Sequence, residues 1–171
     1  QELALYSKKS TDNIVFQPAI GFISKEMKIM ENIINQSIEM KETIDLNLVV
    51  AQPNNDYQKQ TYDTVIHELQ PHTDIELSYD SSSREALMED LKLIDFDKEI
   101  LVTFEGPVDL FEYGDSLQGH YSELYKKTQM QAHKYYLTVV NMMGLSALII
   151  PSENHAVGSL LICKSDPKHI K

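Results

Sequence analysis

Near its C-terminus the chain contains Asn141-Met-Met-Gly-Leu-Ser-Ala-Leu-Ile-Ile-Pro151, followed after a short gap by His155-Ala-Val-Gly-Ser-Leu-Leu-Ile162. The first segment predicts a helix end, a stop at Gly144 and a buried strand that reaches Pro151, because glycine often follows the last turn of a helix. The second segment predicts another buried strand. Only Ser152 to His155 separate the two strands, and so short a connection joins antiparallel neighbours. These residues therefore predict a β-hairpin.

Upstream of the hairpin, predicted strands and helices alternate along the chain. Two apolar runs, 45–51 and 98–104, are typical of buried strands, and residues 74–79 alternate apolar and polar side chains as a half-buried strand does. A run interrupted by proline at 13–22 favours an edge strand. Apolar spacing and helix-starting residues predict four helices, at 24–43, 56–69, 82–93 and 120–143.

The spacing of apolar residues also predicts which face of each helix points inward. Helix 56–69 is expected to place Tyr57, Thr61, Val65 and Leu69 on one face. Helix 82–93 begins with the capping-box spacing Ser82-Ser-Arg-Glu85, and its inward side chains are Leu87, Leu91 and Ile94. In helix 120–143 the adjacent Tyr135 and Tyr136 cannot share one helix face, so we expect one of them to be partly exposed.

Strands that alternate with helices predict an α/β fold, in which crossover helices connect parallel strands. With the hairpin added, the prediction is a three-layer sandwich with a mixed, mostly parallel sheet and a C-terminal antiparallel hairpin. A length of 171 residues fits one domain. We expect the domain at 14–165, a polar arm or linker at 1–13 and a polar tail at 166–171. Because the chain begins with Gln1, we also expect that a preceding segment has been removed.

Composition excludes several classes of partner. The net charge is −11, which disfavours nucleic acid and anionic lipid. There is no apolar run long enough to span a membrane, which is consistent with a soluble protein, cytoplasmic or exported. Cys163 is the single cysteine and cannot form an internal disulfide. No glycine-rich phosphate loop follows a strand, so we expect no nucleotide cofactor. The oligomeric state stays open.

The main candidate for a binding surface is the acidic loop that follows the predicted strand 98–104. Ligands of open α/β sheets bind at the carboxyl ends of strands, and carboxylate oxygens suit Mg²⁺ or Ca²⁺. The spacing does not match an EF-hand, and a solvated loop is the simpler interpretation in so acidic a chain, so no metal site is assigned. In the hairpin turn, Glu153 and His155 could face this loop as an acid–base pair. The candidate ligand-binding residues are Glu105, Asp109, Glu112, Asp115, Glu153 and His155.

Part of the chain matches a known sequence pattern. Asn141, Gly144, Ala147 and Pro151 are in register with an Asn-x-x-Gly-x-Pro-Ala-x-x-x-Pro stretch that precedes a strand near a Val-Gly pair, here Val157-Gly158. This stretch is typical of amidase signature enzymes, and residues 82–163 resemble the C-terminal region of that family. Ser146 replaces the usual proline. The segment 96–103 resembles the family's strand before a Thr-Pro loop, of which only the proline, Pro107, is kept.

The catalytic segment of that family has no counterpart in this chain. The resemblance implies a Ser-Ser-Lys set in a Gly- and Ser-rich segment whose backbone amides form the oxyanion hole. The six glycines are widely scattered, and the run Ser81-Ser82-Ser83 has no glycine beside it. No catalytic residue is therefore assigned.

Three functions remain open. The first is a non-catalytic α/β binding or interaction domain, an amidase-related remnant that binds a protein partner or a small-molecule ligand. The alternative is a small hydrolase or divalent-metal-dependent enzyme that uses the acidic loop 105–115. The third is a structural or interaction domain cut from a longer chain.

Overall fold

A computed structural model describes residues 21–37, 46–107, 134–153 and 157–164. Helix α1 spans Met27–Ser37, α2 spans Asp56–Glu68 and α3 spans Arg84–Leu91. The strands are β1 (Asn47–Ala51), β2 (Thr73–Ile75), β3 (Glu99–Glu105), β4 (Leu145–Pro151) and β5 (Gly158–Lys164). Two 3-10 turns, Tyr136–Thr138 and Asn141–Met143, precede β4.

The five strands form one mixed sheet in the order β2-β1-β3-β5-β4. Strand β1 pairs in parallel with β2 and with β3, and Val49 lies opposite Leu101. Strand β5 pairs antiparallel with β3 and with β4, and Pro151 lies opposite Gly158 at the hairpin end. The predicted α/β class, the mixed sheet and the C-terminal hairpin are confirmed.

Side chains alternate across the sheet, so its two faces have separate apolar clusters. On one face Val50, Val102 and Phe104 pack against Tyr62, Val65 and Ile66 of α2. On the other face α3 and the segment 134–143 cover a larger cluster, which contains Val49, Leu101, Leu160 and Ile162 from the sheet and Leu87, Leu91, Ile94, Tyr135, Tyr136, Val139 and Val140 from its cover. The predicted inward side chains of the third helix are confirmed.

Two helices begin at capping side chains. Asn55 Oδ1 accepts a hydrogen bond from the Gln58 amide at 3.0 Å, and Ser83 Oγ accepts one from the Ala86 amide at 3.1 Å. Both oxygens satisfy N–H groups that have no partner inside the first helical turn. The capping box predicted at Ser82 and Glu85 was wrong by one residue, since the cap is Ser83.

The predicted helix 120–143 is wrong over its described part, residues 134–143, which contain the two 3-10 turns and no α-helix. Tyr135 and Tyr136 are 4% and 0% exposed, so the expectation that one of them is exposed was also wrong. The reason is a long-range contact: the amides of Tyr135 and Leu137 bind the side chain of Glu105, some thirty residues earlier in the chain. Gly144 ends the second turn at φ +68, as the predicted stop requires.

Two other predictions were partly wrong. Only Thr73–Ile75 of the segment 74–79 pairs as a strand, although Leu77 and Tyr79 are buried in the predicted alternation. On α2 the buried residues are Gln58 and Thr61, whereas Tyr57 is 54% exposed. Hydrogen bonds to strand-end carbonyls turn α2 so that Gln58 faces inward, which its polarity does not indicate.

Several predictions lie wholly or largely outside the described residues: the arm 1–13, the strand at 13–22 up to residue 20, the end of the first helix at 38–43, the loop after Pro107 and the tail 166–171.

Candidate functional site at the carboxyl ends of the parallel strands

In open α/β sheets the ligand crevice lies at a particular place in the strand order, and in this sheet that place, the crevice position, is between the ends of β1 and β3. From β1 the chain continues through α2 to β2 on one side, while β3 borders the hairpin on the other side. In open α/β sheets, ligands bind where neighbouring parallel strands diverge in this way, beyond their carboxyl ends. The residues at this position are those that follow Ala51 and those that follow Phe104.

Two amide side chains after β1, those of Gln58 and Asn55, connect the two strand ends. Gln58 is completely buried, and its Nε2 donates to the carbonyls of Phe104 at 3.2 Å and Gly106 at 2.9 Å. The Oε1 atom of Gln58 accepts a hydrogen bond from the backbone N–H of Asn54 at 2.9 Å. Asn55 Nδ2 also donates to the Gly106 carbonyl, at 3.3 Å. Protein side chains therefore satisfy the carbonyls that a ligand at this position would otherwise contact.

Glu105, the last residue of β3, is 4% exposed. Its Oε2 accepts the Tyr135 amide at 2.6 Å and its Oε1 accepts the Leu137 amide at 3.0 Å. Burial raises the pKa of this carboxyl to about 7, although the amides of Leu137, Tyr135 and Tyr136 oppose the rise by favouring the charged form. Both oxygens are used to hold the start of the segment 134–143 against the sheet.

Asp90 forms a second buried polar cluster on the same face of the sheet. It is 8% exposed, and its Oδ2 accepts the Ser78 hydroxyl at 2.8 Å and the Tyr136 hydroxyl at 2.6 Å. The amides of Ser78 and Tyr79 donate to the same oxygen at 3.0 and 3.2 Å. Burial first, and then the hydrogen bond to Asp90, raise the pKa of Tyr136. One carboxyl group thus joins α3, the segment after β2 and the first 3-10 turn.

Two hydroxyls on this face are buried without a hydrogen-bond partner in the described part of the chain, Tyr79 Oη and Thr103 Oγ1. The ring of Tyr79 packs edge-on against Tyr135 and Tyr136 at centroid distances of 5.0 and 5.1 Å. Burial raises the pKa of Tyr79, so its hydroxyl keeps its proton. Both hydroxyls carry a desolvation cost that the fold tolerates.

A cleft of about 340 Å³ lies at the end of the sheet opposite to Glu105 and the carboxyl ends of β1 and β3. Apolar side chains contribute much of its lining: Leu91, Ile94, Phe96, Met143 and Leu145. Its charged groups bind one another or their neighbours, since Lys164 pairs with Asp97 and Asp95 pairs with Lys98 at 2.8 Å. The cleft therefore combines apolar side chains with charged groups that are already paired.

The predicted site residues have different outcomes. Glu105 belongs to the interior and not to a solvated loop, and Glu153 lies exposed after β4. Asp109, Glu112, Asp115 and His155 lie outside the described residues, so the acidic loop and the pair of Glu153 and His155 stay predictions. Within the described ranges, no three His, Cys, Asp or Glu side chains are close enough to hold a metal ion.

Sequence reasoning missed most of the polar residues at the strand ends. The consecutive amides Asn54 and Asn55 directly follow a predicted strand, which is a usable signal. Asp90 lies between the inward-facing Leu87 and Leu91 on the helical repeat, so its burial was also readable. The partners of Asp90 are distant in sequence and could not be inferred.

No protein-family model, characterised protein or solved structure matches the chain. Among the described helices, none has both the length and the apolar character needed to cross a membrane.

Proposed function

We propose that this chain is a non-catalytic α/β interaction domain with a three-layer arrangement. One observation carries the proposal: Glu105 and Asp90, the two buried carboxyl groups of the described residues, are committed to hydrogen bonds within the chain. Glu105 binds two amides, and Asp90 binds two amides and two hydroxyls. A general acid or base must reach a substrate proton, directly or through one water, and these oxygens face inward.

The amide groups support the same conclusion. A ligand site at the ends of β1 and β3 would need free donors and acceptors, but Gln58 and Asn55 spend theirs on the carbonyls of Phe104 and Gly106. The crevice position is closed by hydrogen bonds within the chain. Partner binding at an outer surface fits this molecule better than catalysis at the strand ends.

The proposed relation to the C-terminal region of amidase signature enzymes has local support. The segment Asn141–Met143 is a single 3-10 turn, Gly144 has positive φ, and β4 follows at once. A Cβ atom at Gly158 would lie 3.0 Å from Ile149 Cγ1, which gives the Val157-Gly158 pair a steric reason. Helix α2 on one face of the sheet and α3 on the other are the basis for the three-layer proposal.

Measurements of metal binding and of hydrolysis test this proposal against the alternative enzyme. We expect Mg²⁺ and Ca²⁺ to leave the melting temperature unchanged, since a ligand at a hundred times its dissociation constant would stabilise the protein by about 2.7 kcal/mol. We also expect no hydrolysis of nitrophenyl esters or anilides above the rate of heat-denatured protein. Metal-dependent turnover that is lost in the double variant Asp109→Asn/Glu112→Gln would instead establish the enzyme that uses loop 105–115.

A further inference from the structure

The two edge strands of the described sheet, β2 and β4, differ in length and in charge. Strand β2 is three residues long and has the charged Asp74 at its centre, which is a common protection against edge pairing. Strand β4 is seven residues long and has no charged side chain. Ile149 on this strand is 44% exposed. A long, uncharged, apolar edge is a template for another strand.

The hairpin fixes which backbone groups of β4 point outward. The Ser152 amide donates to the Val157 carbonyl at 2.8 Å, and in an antiparallel ladder every second residue faces the same neighbour. The backbone amide and carbonyl of Leu148 therefore point to β5, and those of Ala147 and Ile149 point away from it, at the outer edge of the described sheet. Leu145 directs its amide to the Val140 carbonyl at 3.1 Å, and Pro151 has no N–H to donate.

We infer that β4 pairs antiparallel with β4 of a second copy of this chain, about a two-fold axis at Leu148. In this register Ala147 of one copy lies opposite Ile149 of the other, and the reverse pair is equivalent. Each of the two pairs exchanges two hydrogen bonds through its outward-pointing amides and carbonyls. The contact between the copies therefore contains about four hydrogen bonds. The sheets of the two copies join into one.

The side chains are self-complementary in the same register. Ala147 meets Ile149 on one face, and Ser146 meets Ile150 on the other, so a small residue is opposite a larger one in each pair. Leu148 meets its own symmetry mate. This match is what an isologous contact needs, because each residue must fit the residue related to it by the two-fold axis.

Strand β4 is an edge along which charge does not oppose a second copy. Each chain has a net charge of −11, which opposes self-association in general. A strand of seven uncharged residues lets two copies approach without placing carboxylates of β4 against one another. Strand pairing alone buries less than the roughly 800 Å² per partner of a standard interface, so the dimer is transient and concentration-dependent.

This inference rests on the proposed interaction role and names its partner. Sedimentation velocity over an approximately hundredfold concentration range should show wild-type protein shifting from monomer to dimer. Ile149→Lys should remain monomeric, since it places two like charges beside the axis while changing an exposed residue. The matched control is Leu69→Lys, which alters a 36% exposed leucine near the opposite edge and should dimerise like wild type.

A cross-linking experiment tests the register and does not depend on a variant that weakens the fold. In a Cys163→Ser background, Leu148→Cys should form a disulfide dimer on mild oxidation, because directly opposed Cβ atoms of such pairs are about 5 Å apart. Ile150→Cys should not, because its symmetry mate is displaced along the strand. A wild-type monomer at every concentration, equal dimerisation of Ile149→Lys, or equal cross-linking of both cysteine variants would overturn the inference. The hydrolysis and metal tests above are read independently of these results.

Discussion

Replacing Glu105 with glutamine should change how stability depends on pH. The wild-type carboxyl is buried at the end of β3, and its pKa is raised from 4.5 to about 7 because burial disfavours the charged form. Glutamine keeps the shape and one acceptor oxygen but never ionises. Because other ionisable groups are the same in both proteins, the difference between their unfolding free energies isolates Glu105.

The sign follows from the direction of the shift. A carboxyl whose folded pKa is raised binds protons more tightly in the folded chain, so its stabilising contribution is complete below pH 4.5 and is lost as pH rises towards 7. One pKa unit corresponds to about 1.4 kcal/mol, so the full change is about 3 kcal/mol. When the pH is raised from about 5.5 to about 8.5, the free energy of unfolding of wild type should fall by about 2 kcal/mol relative to that of Glu105→Gln.

Urea unfolding followed by circular dichroism across that pH range measures the effect. Lower pH is avoided because protonation of carboxyls brings the net charge towards zero and lowers solubility. Glu76→Gln, at an exposed position between β2 and Leu77, is the matched control for removing one carboxyl group from the surface. A difference for Glu105→Gln that is flat, or that favours wild type at high pH, would show that the amides of Tyr135 and Leu137 outweigh burial.

The remaining predictions concern single contacts and are measured by the same unfolding assay at constant pH. Tyr136→Phe should lower the free energy of unfolding by about 2 kcal/mol, because it removes a 2.6 Å hydrogen bond to a carboxyl oxygen. Tyr79→Phe removes a hydroxyl without a described partner and should be neutral or stabilising. Equal losses of stability in the two variants would contradict this contrast. Gly144→Ala should cost about 1 kcal/mol from its φ of +68 alone, since nothing lies within 4 Å of the added methyl group, and an unchanged midpoint would argue against the left-handed conformation. Asn55→Ala should cost about 1 kcal/mol through loss of the α2 cap, and a loss below a few tenths would mean that the cap is not formed.

The parts of the fold that sequence reasoning predicted are those that local patterns control. Apolar runs located β1 and β3, and the short connection after Pro151 required the antiparallel hairpin. The inward leucines of α3 followed from helical spacing. In each case the signal is a periodicity or a turn length that a few neighbouring residues carry.

The largest error arose because a distant side chain took the place of local hydrogen bonds. Residues 134–143 have an apolar pattern that suits a helix, but two of their amides bind Glu105, which is some thirty residues away. Gln58 is likewise polar yet completely buried, because its side chain binds the carbonyls of Phe104 and Gly106. A single sequence gives no measure of such long-range competition.

The order of elements, the hairpin and the strongly acidic character of this chain follow from its residues alone, because periodicity, turn length and charge are local or additive properties. The interior position of Glu105, the Asp90 cluster and the closed ends of β1 and β3 depend on the tertiary structure. These features arise when strands distant in the chain become neighbours, and burial then decides which polar groups face each other instead of water.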